Sequence, residues 1–350
     1  MANRYWVGGT ASWDATAGTK WATTSGGAGG AAVPVATDDV YFDGNSGAVT
    51  VTCVAGVSTC ASLITTGFTG TLNLLSNFLL TNGNVTIGSG TTLSQNSDGL
   101  IFMGDASSGL TTITTNGRNV GLKNVGRTCT LADALNGGSS VNVYDQGSGS
   151  LDTAGFAITS GASVVITGGN VTLGASVITC AGDISISTAG TVSAASATLK
   201  RTGSSGGQIN TNGNTVGTLW FAPSAGGAGA VLNIYNTMTI GTLKVTAPAS
   251  GGCELQFEAA KTYTISTAWD VSGTSGSNKV LLRTTTPGSA CNLSKASGSV
   301  SGAFLDIKDS HAAGGATFTA TSSTDSGGNT GWVFGSNPQF FGFGHVIPFA

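Results

Sequence analysis

Charge is scarce in this chain. Lysine and arginine total 13 and aspartate and glutamate 16 among 350 residues, about a third of the usual share. That excludes a bundle of surface-charged helices. The net charge of −3 comes with no basic run and no interleaving of basic and aromatic residues. Both argue against a nucleic-acid partner, which needs a positive footprint. No apolar run approaches the ~20 residues that span a bilayer, so no membrane span is expected. Met1 leads through Arg4 to Trp6 and a group of glycines, without an apolar segment or a small-residue cleavage site. The expectation is therefore a chain without a signal peptide, made and assembled in a cytoplasm.

Other shortages narrow the chemistry. Two histidines and six cysteines (Cys53, Cys60, Cys129, Cys180, Cys253 and Cys291), none of them in a CxxC pair, do not make a zinc pattern. The cysteines read as small buried hydrophobes, with a Cys53–Cys60 bridge across a turn as the alternative. No HExxH or phosphate-binding loop is present. GSSGG at 203 matches GxSxG formally but lacks the strand-to-helix setting that a nucleophile elbow requires. The two glutamates, Glu254 and Glu258, are four apart on a strand, with α-carbons roughly 13 Å apart. That is wide for a retaining glycosidase pair, and they read as solvated strand charges. His311 beside Asp309 and Asp306 is the one acid–base candidate; a lone histidine in a polar turn reads more simply as solvated. Between residues 46 and 250 the charges are sparse. Asp98, Asp105, Asp133, Asp145, Asp152 and Asp183 stand alone, and Lys200–Arg201 is the one basic pair. No catalytic residue, cofactor or metal site is expected. Asp38, Asp39 and Asp43 are the strongest calcium candidates, set against ordinary Asx turns. Asp306, Asp309 and Asp325 are a weaker set.

What the chain has in plenty is glycine, 56 residues, together with threonine, serine, asparagine and β-branched residues, which favour turns and strands. The apolar residues recur in short alternating runs (AVTVTCV, NVTIGSG, SVVITGG, NVTLGA, DISISTAG), which separates the chain from a disordered one. NVTIGSGTTL at 84 has a near twin in NVTLGASVIT at 170, and TNG recurs at 81, 115 and 211, so the repeat is loose. No stretch of ten residues shows a 3.6-residue period. A β-helix, a β-sandwich array and a propeller all fit. The right-handed parallel β-helix fits best, because small and β-branched residues stack in columns and tight corners take glycine and asparagine at positive φ. Rungs of roughly 20 residues give about a dozen coils.

The text divides into a Trp/Gly-rich cap (1–45), a solenoid body (46–250), closing rungs (251–335) and an apolar tail (336–350). Trp6, Trp13 and Trp21 are spaced by seven and eight residues among seven glycines. Large flat side chains bury much area each, and an open solenoid end needs cover against edge-to-edge association. These three tryptophans are expected to plug the first rung, and Trp332 to do the same at the far end. A sugar-stacking platform is the alternative for them. Phe340, Phe341, Phe343, Ile347 and Phe349 lie among glycines and prolines that bar a helix; exposed, they would form a sticky patch. They are expected to form an oligomer or docking interface, with fold-back onto the last rung as the alternative.

YWVGGTASWDATAGTKWATTSGGAGGAAVPVATDDVYFD resembles a Trp/Gly N-terminal module at the head of β-helical proteins. LRTTTPGSACNLS and FLDIKDSHAAGGATFTATSSTDSGGNTGWVF resemble the closing rungs of the same group, found among structural proteins of tailed phages and bacterial surface proteins. The resemblance covers about a third of the chain and brings no catalytic motif. It implies a non-enzymatic virion structural protein at the particle surface, a capsid decoration protein or a head or tail fibre. The partners it implies are copies of itself in a trimer, major capsid or tail proteins, and a host surface glycan. A bacterial surface adhesin and a glycan-binding or glycan-degrading tailspike are the alternatives.

Overall fold

A computed structural model of the chain describes residues 1–335, apart from 76–78, 96–100, 104–109, 115–121, 125–127, 138–143, 147–148 and 189. Among the described residues the only helix is one 3₁₀ turn, Gly44–Ser46. The regular structure is otherwise strand, and the strands stack in parallel from turn to turn as a β-solenoid.

One turn shows the plan. Val164–Gly168, Val171–Thr172 and Val177–Cys180 follow one another with bends between them. Each pairs in parallel with its counterpart one turn on: Ile184–Thr188, then the two ends of Val192–Arg201. The long strand changes register between Ala194 and Thr198, where it rounds a corner. Turn length varies. Ile113 lies beside Leu131, Leu151 beside Val171, and Tyr263 beside Leu293. The extra residues bulge outward in loops, whose closure costs little as they lengthen.

Alternation fixes the core. Leu135, Ile158, Ile178, Leu199, Leu219 and Leu243 stack one above another and are buried. Ile184, Ile209, Ile234 and Phe257 form a second such column on another face. Each residue meets its like about 4.8 Å away along the hydrogen-bonding direction, so branched aliphatic chains nest without gaps. The residues between them point out; most are threonine, serine, asparagine, glutamine or charged, with Trp220 and Tyr235 as aromatic members. Corners take the left-handed backbone: Asn212 and Asn236 have φ of 53° and 65°. Asn236 also donates its Nδ2 to Asn210 Oδ1 of the preceding turn at 2.9 Å.

All six cysteines are buried as reduced thiols, and no disulfide joins Cys53 to Cys60. Burial pushes the thiols of Cys53, Cys129, Cys253 and Cys291 up to about 12.

The N-terminal end departs from the parallel rule. Asn3–Trp6 pairs in parallel with Asp39–Tyr41 on one side and antiparallel with Trp21–Ala22 on the other. The first strand thus has its outer edge covered by the chain's own short return strand, which protects it from pairing with another molecule.

Candidate functional site

Trp6, Trp13 and Trp21 are each 0% exposed. Trp21 lies edge-on to Trp6 at 5.0 Å and to Trp13 at 5.2 Å between ring centres. Phe42 of the next turn sits 6.0 to 6.1 Å from all three rings, and Phe68 of the turn after lies 5.4 Å from Phe42. Trp6 Nε1 donates to Gly9 O at 2.9 Å. The indole N–H groups of Trp13 and Trp21 are buried with no acceptor among the described residues. Rings held this deep present no face to a sugar. At the far end Trp332 is half-buried. It lies edge-on to Phe318 at 5.2 Å and to Trp269 at 6.1 Å, and donates Nε1 to Ser310 Oγ at 3.1 Å.

Most of the carboxylates singled out by sequence have framework partners. Asp38 is buried against Arg4 Nε at 3.3 Å and accepts from the backbone N–H of Ala2 at 3.0 Å, tying the chain start to the second turn. Asp43 caps the 3₁₀ turn by accepting from Asn45 N and Ser46 N. Asp39 faces outward on its strand, in register with Asn3 and Ser62. Asp306 bridges Arg283 at 2.9 Å and accepts from Ser326 Oγ. Asp309, at φ 58°, accepts from Gly288 N, and Asp325 from Gly327 N and Asn329 Nδ2. Glu254 accepts from Gln256 Nε2, and Glu258 from Asn236 N. His311 takes its place beside Asn292 and Thr330 of the neighbouring turns. Among the described residues no group of three or more His, Cys, Asp or Glu is suited to hold a metal, and no helix is long and apolar enough to cross a membrane. Asp98, Asp105 and Asp145, with the tail residues Phe340, Phe341, Phe343, Ile347 and Phe349, lie outside the residues whose side chains the structure describes.

The basic pair Lys200–Arg201 is split by the strand's alternation. Arg201 points inward, in a column with Ser160, Cys180, Phe221 and Val245, and is completely buried. Its guanidinium donates to four backbone oxygens: Gly182 at 3.0 Å, Gly203 at 3.0 Å, Val231 at 3.3 Å and Ser205 at 2.6 Å. Burial holds its pKa below the ordinary arginine value. Gly207 falls at an inward position facing this group, and any Cβ there would run into the guanidinium. The GSSGG stretch is therefore a corner clamped from inside by an arginine, with Ser204 and Ser205 exposed. Beside it lies a solvent-open depression of about 410 Å³ bordered by Gly161, Gly182, Thr202 and Ser224.

Lys200 points outward and meets an aromatic residue that sequence reasoning passed over. Thr179, Lys200, Trp220, Lys244 and Asp270 are aligned across five successive turns. Lys200 Nζ is 3.9 Å and Lys244 Nζ 4.7 Å from the centre of the Trp220 ring. Trp220 Nε1 donates to Thr246 Oγ1 at 3.0 Å, which sets the ring's orientation. The only trace in the sequence was the outward parity of these positions in their strands; which turns they share follows from register alone.

No family model, curated protein or solved structure matches this chain.

Proposed function

We propose that this chain is a non-enzymatic structural protein of a phage particle, a capsid decoration protein or a head or tail fibre, displayed at the particle surface as a homo-oligomer. The observation that carries the reading is the employment of the carboxylates. Each one described above, apart from the outward Asp39 and Asp270 and from Glu254, which accepts from the Gln256 side chain, is tied to a backbone N–H, a cap or an arginine of the framework. A polysaccharide-cleaving solenoid needs two or three carboxylates held toward a common substrate. Here the fold's investment is in a rod: parallel ladders, stacked aliphatic columns and an end sealed by aromatic rings. Such a rod resists unfolding because each turn is held by both neighbours. One end anchors to the particle, with residues 336–350 as the docking segment and the major capsid or tail proteins as partners.

The test is immunogold labelling of purified phage particles with antibody to this chain. Label confined to heads or to tails supports the reading and chooses between decoration protein and fibre. Particles without label, with label on bacterial envelopes, overturn it in favour of a surface adhesin. Depolymerisation of host polysaccharide by the purified chain overturns its non-enzymatic part.

A further inference from the structure

The outer face around Trp220 carries a feature that the rod does not need. The outward positions on these strands are otherwise small or of threonine size. Thr198, Thr218 and Thr242 form one row, in register from turn to turn. Two residues along each strand, the parallel row is Lys200, Trp220 and Lys244. The indole contributes to no core column, since Leu219 and Phe221 on either side of it take the inward places. Lys200 and Lys244 belong to the turns on either side of Trp220, so their α-carbons stand about 9.6 Å apart along the axis, by two strand spacings, while their ammonium groups lean in to within 3.9 and 4.7 Å of the same ring centre. Each is drawn to the ring by the cation–π attraction, which holds a flexible side chain in place while leaving ammonium N–H donors toward solvent. Asp270 lies 3.6 Å from Lys244, and both are well exposed, a pairing too screened to neutralise the lysine. Lys200 has no carboxylate partner among the described residues.

We propose that this strip binds an acidic polysaccharide. The two ammonium groups pair with carboxylate or sulfate groups of one chain running along the solenoid axis, and the threonine row faces its hydroxyls. The favoured ligand is a glycan, not a nucleic acid. Two cations on a chain of net charge −3 are too few for a phosphate backbone, whose binding rests on many neutralised charges. A flat row of hydroxyls beside an indole suits a hydroxylated ring polymer. The inference names a glycan class for the solvent-facing surface of the proposed rod. It rests on that reading only in requiring this face to be open, so particle labelling and glycan binding fail separately.

The experiment uses the full chain against immobilised polygalacturonate, hyaluronan and dextran sulfate, with neutral dextran and duplex DNA alongside. The chain is expected to bind at least one of the three acidic polysaccharides at low salt, to release it at high salt, and to ignore neutral dextran. The double variant K200Q/K244Q is expected to weaken binding about tenfold or more, with an unchanged circular-dichroism spectrum. W220L is expected to weaken it too, by freeing the lysines. K308Q, which removes one charge elsewhere, is expected to bind as the parent does. Absence of binding to all three acidic polysaccharides overturns the proposal. So does equal loss in K308Q, which would make the attraction one of overall charge, and so does equal or tighter binding of duplex DNA. If W220L fails to fold, the lysine pair alone decides the matter.

Discussion

Trp21→Ala is expected to cost about 3 to 5 kcal/mol and to express that cost at one end of the rod. A fully buried indole removes up to about 250 Å² from water, worth roughly 6 kcal/mol at 25 cal/mol/Å². Against this stands its N–H, buried with no acceptor among the described residues, at a cost of about 1 to 3 kcal/mol. The difference falls in the range for emptying a buried aromatic site. Collapse into the hole is opposed by Trp6, Trp13 and Phe42, which hold one another as well as Trp21. Each turn touches only its neighbours, so the loss stays local. Hydrogen exchange read by mass spectrometry separates the cases. Protection is expected to fall across Asn3–Trp6, Asp39–Tyr41 and Ser62–Ile64 and to persist at Val231–Tyr235 and Cys253–Phe257. Trp21→Phe keeps a ring and deletes the orphan N–H, so it is expected to cost at most about 1.5 kcal/mol. Uniform loss of protection along the chain, or Trp21→Phe as damaging as Trp21→Ala, would refute this account of the plug.

Arg201→Met strands the carbonyls of Gly182, Gly203, Ser205 and Val231 and is expected to lower stability by about 3 kcal/mol; a urea midpoint equal to that of the parent contradicts the clamp. Gly207→Ala drives a methyl into the same guanidinium and is expected to cost about 1 to 3 kcal/mol in the same assay. The buried thiols make stability sensitive to alkali. Their folded pKa values are raised to about 12, while an unfolded thiol ionises near about 8.5. The native state keeps protons that the unfolded chain releases, so this stability is whole below about pH 8.5. It then falls as pH rises toward 12, by up to about 1.4 kcal/mol per pH unit for each thiol. Urea midpoints that stay level from about pH 8 to 10 would contradict it. Deleting residues 336–350 is expected to leave a folded, β-rich protein that no longer assembles or docks. Normal assembly of the truncated chain, checked by light scattering, removes Phe340–Phe349 as the interface, and failure to fold makes the tail part of the core.

The sequence by itself determined the class of fold. Short runs such as SVVITGG and DISISTAG alternate apolar and polar residues with a period of two, and glycine or asparagine punctuates them. That pattern admits only short strands and tight corners, and of the three folds that satisfy it the small and β-branched residues favour the stacked columns of a solenoid. It also placed the aromatic residues at the N-terminal end, because a Trp-rich segment ahead of a solenoid has one obvious surface to cover. Tertiary structure alone decided which residues share a column. Parallel partners on successive turns lie from 14 residues apart, Phe318 to Trp332, to 40, Ala11 to Val51. Partners therefore stand at no fixed spacing, and loops absorb the difference at little cost. Hence Phe42 and Phe68 joined the tryptophan plug unannounced, and the basic pair Lys200–Arg201 came apart, one residue into the core and the other onto Trp220. The antiparallel return of Trp21–Ala22 onto Asn3–Trp6 was equally hidden, since alternation fixes which side a residue faces but carries no record of which neighbour it meets.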